Sequence, residues 1–557
     1  TRVDASQLIE KGRENVLLQS NSFDVSANWL SSNVSETGGQ AGYDGTNNAW
    51  LVDIIAGTLN QRTDQSITAN GVITFSVYAK AGSLNWISLR SDAPAVTQVF
   101  YDLSTGSIGS SFGDVIDSSI EDVGGGWYRC SMTIISTLIV RIYLATANGN
   151  TTQSTGNIYI QDAQIELGLA ASPYIETGAS TAQAGILENT PRFDYSGGAT
   201  CPSLLLEPSR TNLVTQSEYF NSSYWIKELT SIVSNTTTSP DGTLNADKLV
   251  ENTGTGLHRT YSNIINTILG DDYTTSVFAK QGERNIFGIQ ISNGAQPYVW
   301  FNLATGEIEL QQAGIVGKIE PLINGWYKCT ASWNSSSATS DRVFIQLAKS
   351  INETTYTGDG TSGIYIYGAQ FEAGSYPTSY IPTYGVSQTR AFDDCAVNYT
   401  NISDTGGTIF WQGFVDIGVD SHAISLSNSA NGTGSNRILF YRSTSDNKVW
   451  LYIQSAGVSV KNISLQLPTD SNDKYAVSWA TNDFAVYING AQIYTSSSGA
   501  IPTGMQYIQL NEWTNAHTET NVTKQALYFT TRLSNLDLAI LTGATTYNTF
   551  AEMALAL

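Results

Sequence analysis

Apolar and polar positions alternate along most of the chain. Ile73 to Lys80 reads Ile-Thr-Phe-Ser-Val-Tyr-Ala-Lys, and Val99 to Leu103 and Gly156 to Asp162 keep the same period of two. Successive side chains of a strand point to opposite faces, so this period predicts half-buried strands. Between the runs lie Asp-Gly, Thr-Gly, Gly-Gly and Asn-Gly steps, which supply the positive φ of tight turns. Helical spacing is almost absent. Many short strands with turn signals about every 8–15 residues predict an all-β chain of jelly-roll sandwiches, not a parallel sheet with crossover helices.

The pattern is also written twice. Asn15-Val16-Leu17-Leu18-Gln19-Ser20 with Phe23 and Trp29 returns as Asn212-Leu213-Val214-Thr215-Gln216-Ser217 with Phe220 and Trp225. Ser76-Val77-Tyr78-Ala79-Lys80 returns as Ser276-Val277-Phe278-Ala279-Lys280, and Gly126-Trp127-Tyr128-Arg129-Cys130 as Gly325-Trp326-Tyr327-Lys328-Cys329. Ala163-Gln164-Ile165-Glu166 with Pro173-Tyr174-Ile175 returns as Ala369-Gln370-Phe371-Glu372 with Ser379-Tyr380-Ile381. A duplication about 200 residues apart predicts tandem modules. The boundaries it suggests are an N-terminal connector over 1–13, module 1 over 14–177, an extended connector over 178–210, module 2 over 211–385 and a short connector over 386–397. Pro191, Pro202 and Pro208 make the 178–210 stretch an ordered extended segment instead of a flexible tether. Thr1-Arg2-Val3-Asp4 is similar to Thr389-Arg390-Ala391-Phe392-Asp393, and the chain opens on Thr1, so a further module is expected upstream.

From 398 to 557 the strands alternate in a new pattern, including Gly407 to Phe414, Asn436 to Arg442, Val449 to Ile453 and Phe484 to Gly490. The Tyr487-Ile488-Asn489-Gly490 hairpin and the final run into Leu533-Ser534 resemble the concanavalin-like, laminin-G-like sandwich. That resemblance implies a fold and leaves the ligand open.

Composition narrows the function classes. Among 557 residues only 13% are charged, and the formal net charge is −21. Wrapping a nucleic-acid backbone needs Lys and Arg to displace counterions, so nucleic acid is not an expected partner. No stretch reaches the roughly 18 apolar residues of a membrane helix, so no membrane insertion is expected. The four cysteines form no tight framework. Cys130 and Cys329 read as small buried apolar residues, and a bridge between Cys201 and Cys395 is not expected.

Catalytic constellations are missing from the sequence. His258, His422 and His517 are far apart, and no zinc spacing, Gly-x-Ser-x-Gly elbow or phosphate loop occurs. Asp271-Asp272 and Asp393-Asp394 are adjacent acids, which on a strand face opposite ways and do not make an acid/base pair. An enzyme that assembles carboxylates from distant strands remains the alternative.

Asn-Leu-x-x-x-Ser-x-x-Phe-x-x-x-x-Trp from Asn212, and Gly368-Ala-Gln-Phe-Glu-Ala-Gly-Ser-Tyr-Pro-Thr-Ser-Tyr-Ile-Pro-Thr383, resemble the carbohydrate-binding-module-like jelly rolls of tailed-phage fibre and head-spike proteins. The Pro191-Arg192-Phe193-Asp194-Tyr195 to Glu207-Pro208 connector is similar to connectors of such proteins. The resemblance spans roughly residues 1–395. It implies a non-enzymatic virion-surface fibre or spike, homotrimeric, that contacts other virion proteins and adheres to host surface glycan. A polysaccharide depolymerase and a purely structural capsid or tail decoration are the competing readings. Module 1 departs from the pattern at Gly168 to Glu176, which predicts a differently packed final strand.

Within that frame, Glu166 and Glu372 are similar to the late-strand acid that helps sugar-binding jelly rolls hold a structural calcium. The competing reading is an acid at an exposed strand end, which the lack of a dense Asp/Asn loop favours. No other cofactor is expected. Trp29, Trp225, Trp127 and Trp326 recur in both copies and read as core. Binding residues are expected where the copies differ: Tyr298, beside Trp300, and the loop Asn511, Trp513, Asn515 and His517, where a ring to stack on a sugar meets directional hydrogen-bonding groups. The same loop reads equally as a trimer contact.

Overall fold

The computed structural model describes all residues except 56, 58, 93–94, 153–154, 292–297, 336–340, 416–420, 431–433, 444, 466–472, 511–519 and 544–557. Strands dominate, and the single α-helix among the described residues is Asn535–Thr542. No helix among them is long and apolar enough to cross a membrane. Two compact units result. One comprises Thr1, Leu8–Asn189 and Asn212–Gln388, and the other Arg2–Gln7, Thr190–Thr211 and Thr389–Leu557.

The first unit holds both repeats as antiparallel β-sandwiches, as the alternation predicts. In module 2, one six-stranded sheet runs in the order Trp225–Glu228, Arg259–Ser262, Val343–Ala348, Ile286–Ile291, Tyr298–Asn302, Glu307–Gln311. The facing sheet is built from Thr230–Thr237, Ala246–Glu251, Gly363–Ala373, Asp272–Lys280, Trp326–Asn334 and Ile315–Pro321. Alternate residues of both, among them Phe287, Val299, Phe301, Ile345, Val277 and Phe371, close one dry core. Module 1 repeats this order with a difference at the corner. Its strands Arg62–Ala81 and Trp127–Ala145 run unbroken from one sheet into the other, with bulges between Ile135 and Ile139 that turn the ladder.

The shared motif residues explain why the copies look alike. Asn15 spans the module ends, donating through Nδ2 to the carbonyls of Ala163 (3.2 Å) and Ile175 (2.8 Å) and accepting from the Ile165 amide at 3.1 Å. Asn212 makes the same bonds to Ala369, Ile381 and Phe371. The Gln164 and Gln370 side-chain Oε1 atoms accept from the Ile175 and Ile381 amides at 2.7 and 2.6 Å. Module 1 therefore closes its final segment as module 2 does, and the divergent Gly168 to Glu176 sequence does not repack it. Ser172 simply stands where Thr378 does.

The tryptophans are buried, Trp29 and Trp225 in the sandwich cores, Trp127 in a smaller cluster with Tyr78 and Trp326 in one with Phe278, Tyr367 and Tyr380. Trp29 and Trp225 are buried against Phe23 and Phe220, with indole N–H groups on the carbonyls of Gln19 and Gln216. Trp127 and Trp326 are buried on the opposite sheet, and Cys130 and Cys329 lie fully inside.

The second unit is a separate sandwich. One sheet carries Gly406–Val415, Lys474–Ala480, Asp483–Ile488, Ala491–Ser496 and Asn521–Phe529, and the connector strand Ser203–Leu206 extends it by pairing with Asn521–Phe529. The second sheet runs through Ala396–Asn398, Tyr507–Gln509, Ser421–Ser427, Arg437–Arg442, Val449–Ser455 and Val458–Ser464. Asn489 (φ 49°) and Gly490 (φ 84°) make the tight two-residue hairpin. Ser534 and Asp537 form a capping box that starts the helix, whose Leu538 and Leu541 cover Phe410, Ala476 and Tyr487 on the outer side of the first sheet. Inside the connector, Arg192 pairs with Glu207 at 2.7 Å and with Asp393, and Arg390 reaches Glu207 at 2.9 Å. This holds the extended segment in place. Cys201 and Cys395 are both free thiols.

Candidate functional site

Glu166 and Glu372 are neither exposed strand-end acids nor open cation ligands. Both are buried. Glu372 accepts from Gln370 Nε2 (2.8 Å), the Thr378 amide (2.9 Å) and the Thr378 hydroxyl (2.6 Å). Glu166 accepts from Gln164 Nε2 (2.6 Å), the Ser172 amide (2.8 Å) and the Ser172 hydroxyl. A cation needs converging oxygen lone pairs, whereas these carboxylates face amide and hydroxyl hydrogens. No group of three or more His, Cys, Asp or Glu among the described residues could hold a metal. The recurring acids bind the final segment of each module to its sheet.

Asn511, Trp513, Asn515 and His517 lie outside the described residues. Of the other histidines, His258 is buried with its ring nitrogens 2.8 and 3.1 Å from the carbonyls of Leu229 and Tyr356. His422 is buried too, and desolvation with help from Arg437 drives it down to about 3. Neither has a geometry suited to proton transfer with a ligand.

Tyr298 leads to a different kind of place. Val299 and Phe301 point into the core, so Tyr298 and Trp300 share the outer face of the six-stranded sheet. The Trp300 indole stacks on Tyr298, with ring centroids 5.3 Å apart and an 18° interplanar angle. A Cβ on Gly288 would sit 2.8 Å from Trp300 Cε3, so only glycine there lets the indole lie flat across the neighbouring strand. Trp300 is 4% exposed, and Tyr298 is the more accessible ring of the pair. Burial pushes the Tyr298 hydroxyl above its ordinary pKa, and it sits 3.4 Å from Gln346 Oε1.

Strand register arranges this face in rows. One row is Arg259, Gln346, Gly288, Trp300, and the next is Tyr261, Phe344, Gln290, Tyr298. Tyr261 and Phe344 pack at 4.8 Å, with the Arg259 guanidinium 4.8 Å from the Phe344 ring and Arg342 5.3 Å from the Tyr261 ring. Sequence reasoning missed Arg259, Tyr261 and Phe344. Their shared face follows from the period of two in each strand, but their adjacency depends on which strands pair, which no local pattern displays.

Module 1 has the same two rows with other residues. Arg62, Tyr143, Ser88 and Phe100 form the first, and Asp64, Arg141, Arg90 and Gln98 the second. An aromatic-rich row in one copy is thus a charged row in the other. Most of these side chains are buried against one another; Tyr261, Tyr298 and Arg259 in module 2 and Arg62, Arg90 and Arg141 in module 1 stay part-exposed, rings and guanidinium groups that suit stacking and directional hydrogen bonds.

No family model matches the chain, and no curated protein matches it in sequence. Among solved structures, the chain is similar to a CBM40 module of the IT-sialidase of Ruminococcus gnavus, at 12% identity over 26% of this chain and 85% of that one, with a TM-score of 0.22. It is also similar to the CBM22-1–CBM22-2 tandem of Xyn10C from Paenibacillus barcinonensis, at 14% identity over 65% of this chain and 98% of that one, with a TM-score of 0.21. A GH43B protein of a Bacteroides ovatus xyloglucan locus aligns at 8% identity over 93% and 99% of the two chains, with a TM-score of 0.18.

Proposed function

We propose that the chain is a non-enzymatic adhesion protein of a virion fibre or spike, which holds host surface polysaccharide on the outer faces of its paired modules. The sugar-binding part of this reading rests on one observation above all. The outer sheet of each module carries a two-row platform of aromatic and hydrogen-bonding side chains, while the residues common to both modules serve packing and closure. Stacking against the part-exposed Tyr298 and Tyr261, with hydrogen bonds from Arg259, suits a neutral sugar ring. Such contacts are individually weak. Trimeric presentation on a particle surface would multiply them, because later contacts form at the high effective concentration set by the first.

The virion assignment is supported by the phage-like Ser375-Tyr376-Pro377-Thr378-Ser379-Tyr380-Ile381-Pro382-Thr383 string and the connectors between modules. Among the described residues, the carboxylates of the module 1 face, Asp64 and Asp92, are tied to arginines, which fits adhesion better than cleavage. The test is a glycan array and a host-cell adsorption assay with the purified full chain, run beside Tyr298→Ala and Tyr261→Ala variants. Binding that falls at least tenfold in both variants supports the reading. Absence of any glycan or cell binding refutes it, and progressive shortening of the bound polysaccharide would replace it with a depolymerase.

A further inference from the structure

The two modules present their rows in the same register but with different side chains, so they need not take the same sugar. In module 1 the face centres on Tyr143. The guanidinium carbons of Arg62 and Arg90 each lie 5.6 Å from its ring centroid. Arg62 gives its Nε hydrogen to Asp64 Oδ1 at 2.8 Å, and Arg90 gives its Nε hydrogen to Asp92. Both bonds link neighbours two residues apart, Arg62 and Asp64 on one strand and Arg90 with Asp92 just past the end of another. They fix each guanidinium through Nε and leave the paired terminal nitrogens of the fork to bond something else. Arg141 stands directly across from both Asp64 and Arg90 and reaches Asp92 through Nη1.

Three arginines therefore meet two aspartates, an excess of positive charge on the outer face of a chain whose net charge is −21. The fork of a guanidinium matches the two oxygens of a carboxylate, and a fork held by a neighbouring acid loses little freedom on binding. Tyr143 lies buried beneath the two guanidinium groups and braces them. At the corresponding positions of module 2, Arg141 and Arg90 are replaced by Phe344 and Gln290; that face keeps Arg259, paired with Glu228, and Arg342 beside Tyr261, without two guanidinium groups gathered over one ring.

We propose that the outer face of module 1 binds a carboxylate-bearing saccharide, with the part-exposed Arg62 and Arg90, set over Tyr143, holding the carboxylate. This deepens the glycan-adhesion reading and rests on it.

The test is affinity electrophoresis of the full chain through gels containing polygalacturonate or hyaluronan, against gels containing fully methyl-esterified polygalacturonate. The protein and the acidic polymers are both negative, so long-range attraction works against binding and retardation reports a local site. Retardation is expected in the acidic gels and not in the ester gel. Arg62→Gln and Arg90→Gln should each weaken it about tenfold, and Arg90→Lys, which keeps the charge without the fork, should weaken it by less. Thermal melts of all variants separate lost binding from lost folding, and Arg90→Lys serves as the test if the glutamine variants do not fold. Equal retardation by acid and ester, or full retardation of folded variants, overturns the proposal. Retention of the wild type by neutral glycans alone overturns it while leaving the adhesion reading intact, and retention by no glycan removes both.

Discussion

Asp247 should make module 2 less stable as the pH rises. It lies on Ala246–Glu251, 1% exposed, with Oδ1 accepting the Asn235 amide at 3.1 Å and Oδ2 buried without a hydrogen-bond partner. Desolvation raises its pKa to about 7 from an ordinary value of 3.8; Asp117 adds to the rise, while the Asn235 and Phe220 amides and Lys227 oppose it. The folded state thus holds the proton more tightly than the unfolded chain does. The resulting stabilisation is complete below about pH 4, is lost as pH rises through about 7, and stays lost above that. A rise of about three units at ~1.4 kcal/mol per unit gives roughly 4 kcal/mol across that window. Asp247→Asn removes the titration while keeping the shape, so it should leave stability at pH 4 nearly unchanged and raise it at pH 8 by up to that amount. For a module of this size, ~2–4 °C per kcal/mol predicts a transition some ~8–16 °C higher at pH 8. Differential scanning calorimetry of the full chain at both pH values reads this directly. An Asn variant no more stable than wild type at pH 8, or stabilised equally at pH 4, would refute the reasoning.

Three further outcomes are expected. Glu372→Gln should destabilise module 2 by ~1–3 kcal/mol, since it weakens bonds from three donors to a buried carboxylate, while exhaustive EDTA treatment should not move the melt; an EDTA shift that calcium reverses would restore the metal reading. Glu251 is fully buried and receives two bonds from Arg284 (2.8 and 2.6 Å) and one from Tyr356 (2.8 Å), so Glu251→Ala should cost ~3–5 kcal/mol by stranding the guanidinium; a loss below ~1 kcal/mol in calorimetry would contradict that account. In a thiol-labelling time course, Cys201 should react first. Cys130 and Cys329, whose thiols burial pushes up, should react only on unfolding, and early labelling of either would show that the module cores open.

The strand period and the duplication carried most of the fold. Alternation at Ile73 to Lys80 shows which side chains enter the core, and the Asn15/Asn212 and Glu166/Glu372 recurrences mark one shared device. What that device does was not legible. Glu166 sits only six residues from Ser172, but nothing in the spacing shows the chain folding back so that the serine amide and hydroxyl meet the acid. The acid therefore looked exposed or metal-binding. Tyr298 was legible as a point of difference between copies, whereas Arg259, Tyr261 and Phe344 come from two other strands and join it only through sheet order. The connector strand Ser203–Leu206 was hidden for the same reason, its partner lying more than three hundred residues along the chain at Asn521–Phe529.

The two modules show why binding chemistry can diverge while the scaffold stays fixed. Core positions such as Val99/Val299 and Ile142/Ile345 are packed on all sides, so a change of volume there creates a cavity or strain. The closing bonds of Asn15/Asn212 and Gln164/Gln370 satisfy buried backbone groups, and losing one strands a partner. The alternate positions of the same strands face away from the sandwich core and are constrained by one another instead. Arg141 can become Phe344, and Ser88 can become Gly288, without touching the core. One substitution then conditions another: Gly288 leaves room for Trp300, whereas in module 1 Ser88 accepts from Gln98 Nε2 at 2.7 Å beside the smaller Phe100. Exchanging single residues between the faces should therefore transfer little, because Ser88 meets the indole and Gly288 abandons Gln98. Exchanging Ser88, Gln98 and Phe100 together for their module 2 counterparts should carry the stacked platform across intact.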